Sequence, residues 1–322
     1  AWSCWALVLV LLIAHSVFVC MFWQDRNLDF SQPAVRTWYA AQMEHYVRDG
    51  VDFWWNDEGE SAYFQYHWWN VAEVAALRRK SQTARFYSIN RAFTPGMARL
   101  GATAWTGDIQ ATWDSLVQTP GMMLNWALAG APYVACDIGG FSGGTNPELL
   151  TRWYQVGIFL PTMRVHSDFF SEAHWPFSWG AKAGAAMRSA LELRYRLVPY
   201  HYSLAHALFS RRAPWMQPLA MAFPDDAVAK PLVSEWMDGD LLVAPVLRED
   251  SEKQVYLPAG QWYKFNESAT LEGPSWCTGP AALDEVPVFV RAGGVVPIAP
   301  LVQYTDALPG GPLEVHVYGG AS

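Results

Sequence analysis

Three acidic side chains each follow an apolar run and precede a polar or glycine-containing stretch. Asp57 lies in GVDFWWNDEGE, Asp108 in ATAWTGDIQ and Asp137 in YVACDIGGF. One acid in such a place is more commonly a helix N-cap or a loop residue. Three of them, two with tryptophans nearby, favour a carboxylate-based site. Glycoside hydrolysis requires two carboxylates that flank one bond, because one attacks or stabilises the anomeric carbon while the other protonates the leaving oxygen.

Rival chemistries have weaker support in the sequence. His166 and Asp168 could supply metal ligands, but no pair of histidines at metal-ligand spacing joins them. A serine nucleophile would need a G-x-S-x-G elbow, and the one segment with that spacing is GFSGG at residues 140–144. The segment GGFSGGTNP lacks the lysine of a phosphate-binding loop, so it is predicted to be a surface loop. We therefore expect neither a metal nor an organic cofactor.

The amino-acid composition bears on which kind of molecule the protein binds. The chain has 322 residues, of which 16% are charged, and its net charge is -8. Nucleic-acid binding needs basic surfaces, so this balance argues against a nucleic-acid partner. The 18 tryptophans have two readings. They can fill a large core, or they can stack on the apolar faces of sugar rings.

The elements that must position these acids alternate between strands and helices from Phe30 to about Ser210. SQPAVRTWYAAQMEHYVRDG, SLVQTPGMMLNWALAGA and NPELLTRWYQVGIFL are predicted as helices, the last with Asn146 as its N-cap. VDFWW and PYVACDIGG are predicted as strands, and Pro199 should kink or divide a long later helix. This alternation indicates a parallel α/β architecture. After about Arg212, short strands punctuated by Gly and Pro are typical of a β-sandwich.

Residues 1–28 form an apolar segment of unclear status. It is about as long as a membrane span, but ALVLVLLIA could equally be a buried barrel strand, and a damaged end is a third possibility. Membrane contact through residues 1–22 is the less favoured alternative. Cys4, Cys20, Cys136 and Cys277 match no zinc or redox spacing and are expected to be free thiols. These sequence features assign no cellular compartment to the protein.

Several motifs in order resemble glycoside hydrolase family 31, the α-glucosidase and α-xylosidase family. The segments WWNDEGE, RAFTPGMARLGATAWTGD, GAPYVACDIGGF and LLTRWYQVGIFLPTMRVHS resemble its barrel motifs, and GDLLVAPVL, VYLPAGQWY and PVFVRAGGVVPI resemble the following sandwich. The resemblance implies an α/β fold, with the latter part of a (β/α)8 TIM-type barrel over residues 29–212. An all-β sandwich domain then covers residues 213–322, and a further β domain could start near the end.

The resemblance also implies roles for individual residues. Asp57 matches the family's nucleophile and Asp108 its general acid/base. The residues that match positions holding or walling the sugar are Trp55, Arg91, Trp105, Asp137, Phe141 and His166. Retention would place the two catalytic carboxyls roughly 5–6 Å apart. Burial of Asp108 against Trp105 would favour its protonated form.

The sequence departs from the family pattern after the nucleophile and at the front of the chain. Glu58 and Gly59 stand where Met and Asn are usual, and Ile109 follows Asp108 where Asn is common. Only a short stretch precedes Asp29, so we interpret the chain as a fragment or truncated gene product whose barrel does not close alone. The predicted function is a retaining α-glycosidase acting on terminal α-glucosidic bonds of an α-linked oligosaccharide or glucoside. α-Xylosidase, α-transglucosylase and a non-catalytic truncated relative stay as alternatives.

Overall fold

The computed structural model describes residues 28–58, 62–249 and 252–320. Its first part is a parallel sheet in which β1, β2, β3 and β4 pair in chain order. A second parallel pair, β5 and β6, follows, and Cys136 alone separates β4 from β5, so the strands continue around one curved wall. The strands are β1 Trp54–Asn56, β2 Ser88–Asn90, β3 Ala102–Trp105, β4 Val134–Ala135, β5 Asp137–Ile138 and β6 Arg164–Val165.

Helices flank or connect these strands, as the alternating pattern predicted, except that a 3-10 turn at Met97–Leu100 joins β2 to β3. They are α1 Pro33–Arg48, α2 Tyr63–Lys80, α3 Trp113–Leu128, α4 Pro147–Gly157, α5 Ala181–Arg196 and α6 Val198–Arg211. The Asn146 side chain accepts a hydrogen bond from the Leu149 amide at 2.8 Å, which confirms the predicted cap of α4. The long helix is divided at Leu197, next to Pro199, as expected for a proline in a helix. The architecture is the latter part of a (β/α)8-type barrel.

An antiparallel β region follows the barrel helices. Six strands pair in the order β11-β10-β12-β9-β8-β7, and β13 pairs with β14 in a separate sheet. A short helix, α7 Leu219–Ala222, follows β7. The strands are β7 Met216–Pro218, β8 Trp236–Asp238, β9 Leu241–Val243, β10 Lys253–Lys264, β11 Thr270–Gly279, β12 Val288–Arg291, β13 Val295–Ile298 and β14 Glu314–Val317. Strand β10 is continuous through the Pro-Ala-Gly stretch, because a bulge between Leu257 and Gly260 absorbs it.

One apolar core joins the two regions. Trp153 of α4 lies in the same buried cluster as Leu241 and Val290 of the antiparallel sheet. Polar groups on α4 reinforce the junction, since the buried Arg152 guanidinium donates to the carbonyls of Ala281 and Ala282. We propose that the two domains divide at Arg212, the left-handed residue that ends α6.

The apolar first segment, with Cys4 and Cys20, lies outside the described residues. Within the residues described, no helix combines the length and apolar character that a membrane crossing requires. Cys136 is buried and Cys277 is half-buried, and both are free thiols.

Candidate active site

The predicted site residues stand at the carboxyl ends of the parallel strands. Asp57 follows β1, Arg91 follows β2, Asp108 lies just past β3, and His166 follows β6. Asp137 begins β5, with its side chain fully buried. Because parallel strands of a barrel end on one face, these five side chains converge although they are far apart in the chain.

Arg91 links the two acids that the sequence selected as a catalytic pair. Its Nε donates to Asp57 Oδ1 at 2.5 Å, and its Nη2 donates to Asp108 Oδ1 at 2.9 Å. Burial alone would lower the pKa of Arg91, but the hydrogen bonds and charges of Asp57 and Asp108 outweigh it and raise that pKa. The guanidinium is therefore a permanent cation, and sharing it keeps the two carboxylates side by side.

The two carboxylates differ in their access to solvent. The side chain of Asp57 is 34% exposed and that of Asp108 is 44% exposed. The prediction that Asp108 is buried against Trp105 is therefore wrong for the chain as described. The reason is that the Arg91 guanidinium lies over the Trp105 ring, 4.8 Å from its centroid, and Asp108 accepts a hydrogen bond from that cation.

The backbone turns sharply directly after Asp57. Glu58 has a φ of 60°, in the left-handed region that costs free energy for residues other than glycine. This turn lets the Glu58 amide donate to Asp57 Oδ1 at 2.8 Å. On the neighbouring strand, the Arg91 amide donates to the Asn56 carbonyl at 3.0 Å. The Asp57 carboxylate is thus held by the Glu58 amide as well as by Arg91.

Aromatic rings form the floor beside the carboxylates. Trp55 meets Trp105 edge-to-face with ring centroids 6.0 Å apart, and it meets His166 edge-to-face at 5.1 Å. Phe141 stacks on His166 at 5.3 Å. Trp55 is 46% exposed, whereas Trp105 is 1% exposed. Trp55 therefore presents an indole to solvent, while Trp105 supports the site from beneath.

Arg164 is the site residue that sequence reasoning missed. Its Nη2 donates to Asp137 Oδ1, and its guanidinium lies 5.0 Å from the Trp55 ring centroid and 5.2 Å from that of Trp105. Burial raises the pKa of Asp137 to about 6, although the charge of Arg164 opposes that rise. A signal was available in FLPTMRVHS, since an arginine in an otherwise apolar approach to a strand needs a counter-charge.

His166 is positioned to act as a neutral hydrogen-bonding group. Burial is the largest cause that lowers its pKa, and the positive charge of Arg164 adds to the effect. With both aromatic neighbours fixing its ring, the imidazole keeps one donor and one acceptor nitrogen at neutral pH. Such a group can bond a sugar hydroxyl in either direction.

Glycines let the loop after β5 bring Phe141 to the site. Gly140 has a φ of +85°, and a Cβ placed there would lie 2.4 Å from the backbone of Ala111. The close approach allows the Phe141 amide to donate to the Ile109 carbonyl at 2.6 Å. The loop that carries Phe141 is therefore fastened to the loop that follows Asp108, and a side chain at position 140 would separate them.

The structure thus brings all eight predicted site residues together, and their roles stay predictions. The contacts run from Asp57 through Arg91 to Asp108, and from Arg91 through the aromatic floor to His166. In the described ranges, no group of three or more His, Cys, Asp or Glu side chains has the arrangement to hold a metal ion.

Loss of Arg164 should leave the Asp137 carboxylate buried without its counter-charge. We expect Arg164→Leu to lower the free energy of unfolding by about 3–5 kcal/mol at pH 7.5, the usual cost of breaking a buried pair from one side. Asp137→Asn introduced together with it should recover much of that loss, because the amide carries no charge. Chemical unfolding followed by tryptophan fluorescence measures both variants. Equal stability of the single and double variants would contradict the pairing.

Comparison with protein families decides the lineage. Residues 11–204 match the sequence model of the glycosyl hydrolases family 31 TIM-barrel domain, and residues 212–296 match that of the glycosyl hydrolase family 31 C-terminal domain. The chain belongs to glycoside hydrolase family 31. The prediction of family and of fold class is thereby confirmed. The barrel match begins inside the apolar first segment.

Relatives in family 31 are similar in sequence and in structure. Human neutral alpha-glucosidase C is 33% identical over 314 residues, which cover 87% of this chain and 34% of the relative. A Flavobacterium johnsoniae family 31 dextranase complexed with glucose superposes with a TM-score of 0.85 at 27% identity, covering 91% of this chain and 40% of the dextranase. A Xanthomonas citri family 31 alpha-xylosidase gives 0.79 at 29% identity, covering 91% and 36%. The chain spans about a third of the length of the curated relatives it matches.

Proposed function

We propose that this chain carries the catalytic pair of a retaining α-glycosidase, with Asp57 as nucleophile and Asp108 as general acid/base. The observation that supports this most directly is the guanidinium of Arg91 shared by both carboxylates at the strand ends. Adjacent contacts on one guanidinium are compatible with the roughly 5–5.5 Å carboxyl separation of retaining enzymes, which leaves no room for the water of an inverting reaction.

In the first step, a carboxylate oxygen of Asp57 attacks the anomeric carbon as the bond to the leaving oxygen breaks. Asp108 gives its proton to that oxygen, and a β-linked glycosyl ester forms on Asp57. Arg91 holds the Asp57 carboxylate in place through its Nε. The side chain of Asp108 is 44% exposed in the free chain, so the leaving oxygen of a bound substrate can reach it.

In the second step, the ionised Asp108 takes a proton from a water molecule, whose oxygen attacks the anomeric carbon and releases Asp57. The product keeps the α configuration because two inversions cancel. Throughout both steps, Arg91 stays close to whichever carboxylate is charged. One fixed cation therefore serves both halves of the reaction without moving a charge in or out of the site.

The remaining groups are suited to hold the sugar. The exposed indole of Trp55 offers a stacking face for a pyranose ring. His166 and Arg164 can supply hydrogen bonds to hydroxyl groups, with the buried Asp137 holding Arg164 in place, and such bonds strengthen as the oxocarbenium-like transition state develops. No step requires a metal or organic cofactor.

The sugar we propose is α-glucose, at the end of an α-linked oligosaccharide or glucoside. Two of the relatives named above carry α-glucosidase and dextranase in their names. A second candidate, α-xylosidase, is favoured by the likeness to the Xanthomonas citri alpha-xylosidase. Parallel kcat/KM values for the nitrophenyl α-glucoside and α-xyloside distinguish the two, because only glucose carries the C6 hydroxymethyl group. Products at high sugar concentration separate hydrolysis from transglucosylation.

Trapping of the intermediate tests the proposed function. The complete gene product is incubated with a ring-fluorinated α-glucosyl fluoride. The ring fluorine slows both steps, and the good fluoride leaving group keeps formation of the glycosyl-enzyme faster than its release. Peptide mass spectrometry should find one sugar ester on Asp57, and the Asp57→Ala variant should not be labelled. A sugar on another residue would overturn the assignment of the nucleophile. Absence of both labelling and turnover would favour the non-catalytic alternative.

A further inference from the structure

A buried polar cluster lies behind the catalytic strands, on the face opposite Asp57. Its side chains are Asn56, Ser88 and Asn90 on β1 and β2, with Asn70 and Glu73 on α2, and each is at most 2% exposed. Such groups are costly in a core unless they are paired. None of these side chains is among the site residues described above.

The hydrogen bonds of this cluster converge on the ends of β1 and β2. Asn56 Nδ2 donates to Glu73 Oε2 at 3.0 Å and to Asn90 Oδ1 at 2.9 Å. Asn70 Nδ2 also donates to Asn90 Oδ1, at 2.7 Å. Asn90 Nδ2 donates to the Thr103 carbonyl of β3 at 3.1 Å. Three strands and one helix are thus tied together by amide side chains that accept and donate at fixed distances.

The position of these bonds relates them to catalysis. Asn56 and Asn90 are directly paired across the sheet, and each is followed in sequence by a member of the Asp57–Arg91 ion pair. If the end of β1 shifted relative to the end of β2, the distance between Asp57 and Arg91 would change, because each directly follows one of the paired asparagines. Hydrophobic contacts tolerate sliding, whereas an amide bonded on both sides fixes the spacing.

We propose that Glu73 is a positioning residue, which through Asn56 sets the distance between the nucleophile Asp57 and its cation Arg91. This inference rests on the proposed function for its kinetic consequence, but the geometric consequence stands independently. Glu73 contacts no substrate. It acts from α2 by holding the Asn56 amide, and so keeps the end of β1 in register with the end of β2.

The carboxyl of Glu73 is suited to this task as a neutral acid. Burial raises its pKa to about 8, so it is mostly protonated at neutral pH and adds no charge behind the catalytic carboxylates. Tyr39 of α1 interacts electrostatically with Glu73. Burial raises the pKa of Tyr39 to about 12, and the negative charge that Glu73 carries above its own pKa adds to that rise. Glutamine reproduces the neutral form, whereas leucine keeps the size and removes the bond.

The test compares Glu73→Leu and Glu73→Gln in the complete gene product. A misplacement of about 1 Å in a reacting group can cost about 10²-fold in rate. We therefore expect Glu73→Leu to lose about 10²-fold in kcat with a smaller change in KM, because Arg164 and His166 lie at β6, outside the cluster. Glu73→Gln should retain most of the activity. Asn56→Ala removes the same bond from the strand side and replaces Glu73→Leu if that variant is insoluble.

Glu235 provides a matched control. It is also a buried glutamate, 1% exposed, and burial raises its pKa to about 7, but it precedes β8 in the antiparallel region. Glu235→Leu should lower stability without lowering kcat. If it lowers kcat as much as Glu73→Leu does, or if Glu73→Leu acts on KM alone, the positioning role is excluded.

A crystal structure of Glu73→Leu tests the positioning role of Glu73 independently of the proposed glycosidase function. The positioning role predicts that the contact between Arg91 Nε and Asp57 Oδ1 lengthens beyond hydrogen-bonding distance, and that Glu73→Gln preserves it. An unchanged contact in Glu73→Leu would overturn the inference whatever the activity. Failure of the wild-type protein to cleave any α-glycoside would instead overturn the proposed function and leave this geometric test standing.

Discussion

Replacement of Asp57 by alanine should lower kcat/KM for every α-glycoside by on the order of 10⁴-fold or more, the scale on which hydrolases lose rate when a covalent catalytic group is removed. Asp57 and Asp108 both bond to Arg91, and Asp108 is assigned to proton transfer. Loss of Asp57 therefore removes the covalent route itself. The measurement is turnover of a nitrophenyl α-glucoside and of a natural α-linked disaccharide by the complete gene product.

Azide gives this variant a specific signature. In Asp57→Ala the vacated space admits a small anion to the β face of the sugar, and Asp108 can still protonate the leaving group. We expect slow formation of a β-glycosyl azide, by one inversion. Asp52→Ala is the matched control, since Asp52 is an exposed aspartate that precedes β1, and it should keep normal activity. Full activity of Asp57→Ala on both substrates would refute the assignment.

The features that the sequence predicted correctly are those set by residues close together in the chain. The cap at Asn146 and the division near Pro199 follow from backbone hydrogen bonding and ring geometry, and both are present. The acids that follow strands were found because the carboxyl ends of parallel strands all lie at the same edge of the sheet. The family resemblance then selected Arg91 and the aromatic residues, which strand position alone would not have distinguished.

What the sequence did not predict depends on contacts between distant segments. Helix α2 was not named, because its aromatic and polar residues surround the helix instead of following one stripe. The Asn56–Glu73 bond joins residues that no local pattern relates. The exposure of Asp108 is decided by Arg91, which occupies the face of Trp105 expected to cover the acid. Each miss concerns a side chain whose partner comes from another strand or helix.

Replacement of Asp108 by alanine should have an effect that depends on the leaving group. A nitrophenolate departs without protonation, so formation of the glycosyl ester on Asp57 should survive. Hydrolysis of that ester should slow, because no base remains to activate water, and the intermediate should accumulate. A natural disaccharide has a poor leaving group and should lose about 10²–10⁴-fold in kcat/KM, the usual contribution of a positioned acid.

Azide again distinguishes the role, with the opposite stereochemistry. The anion needs no general base, and in Asp108→Ala it attacks the β-linked ester from the α face, so turnover of the nitrophenyl substrate should be restored with an α-glycosyl azide as product. Asp114→Ala, which changes an exposed aspartate in the first turn of α3, is the control and should behave as wild type. If Asp108→Ala loses both substrates equally and azide restores neither, Asp108 is not the acid/base. A β-azide from this variant would exchange the roles of the two carboxylates, since that product requires direct displacement on the free glycoside and not attack on an ester at Asp57.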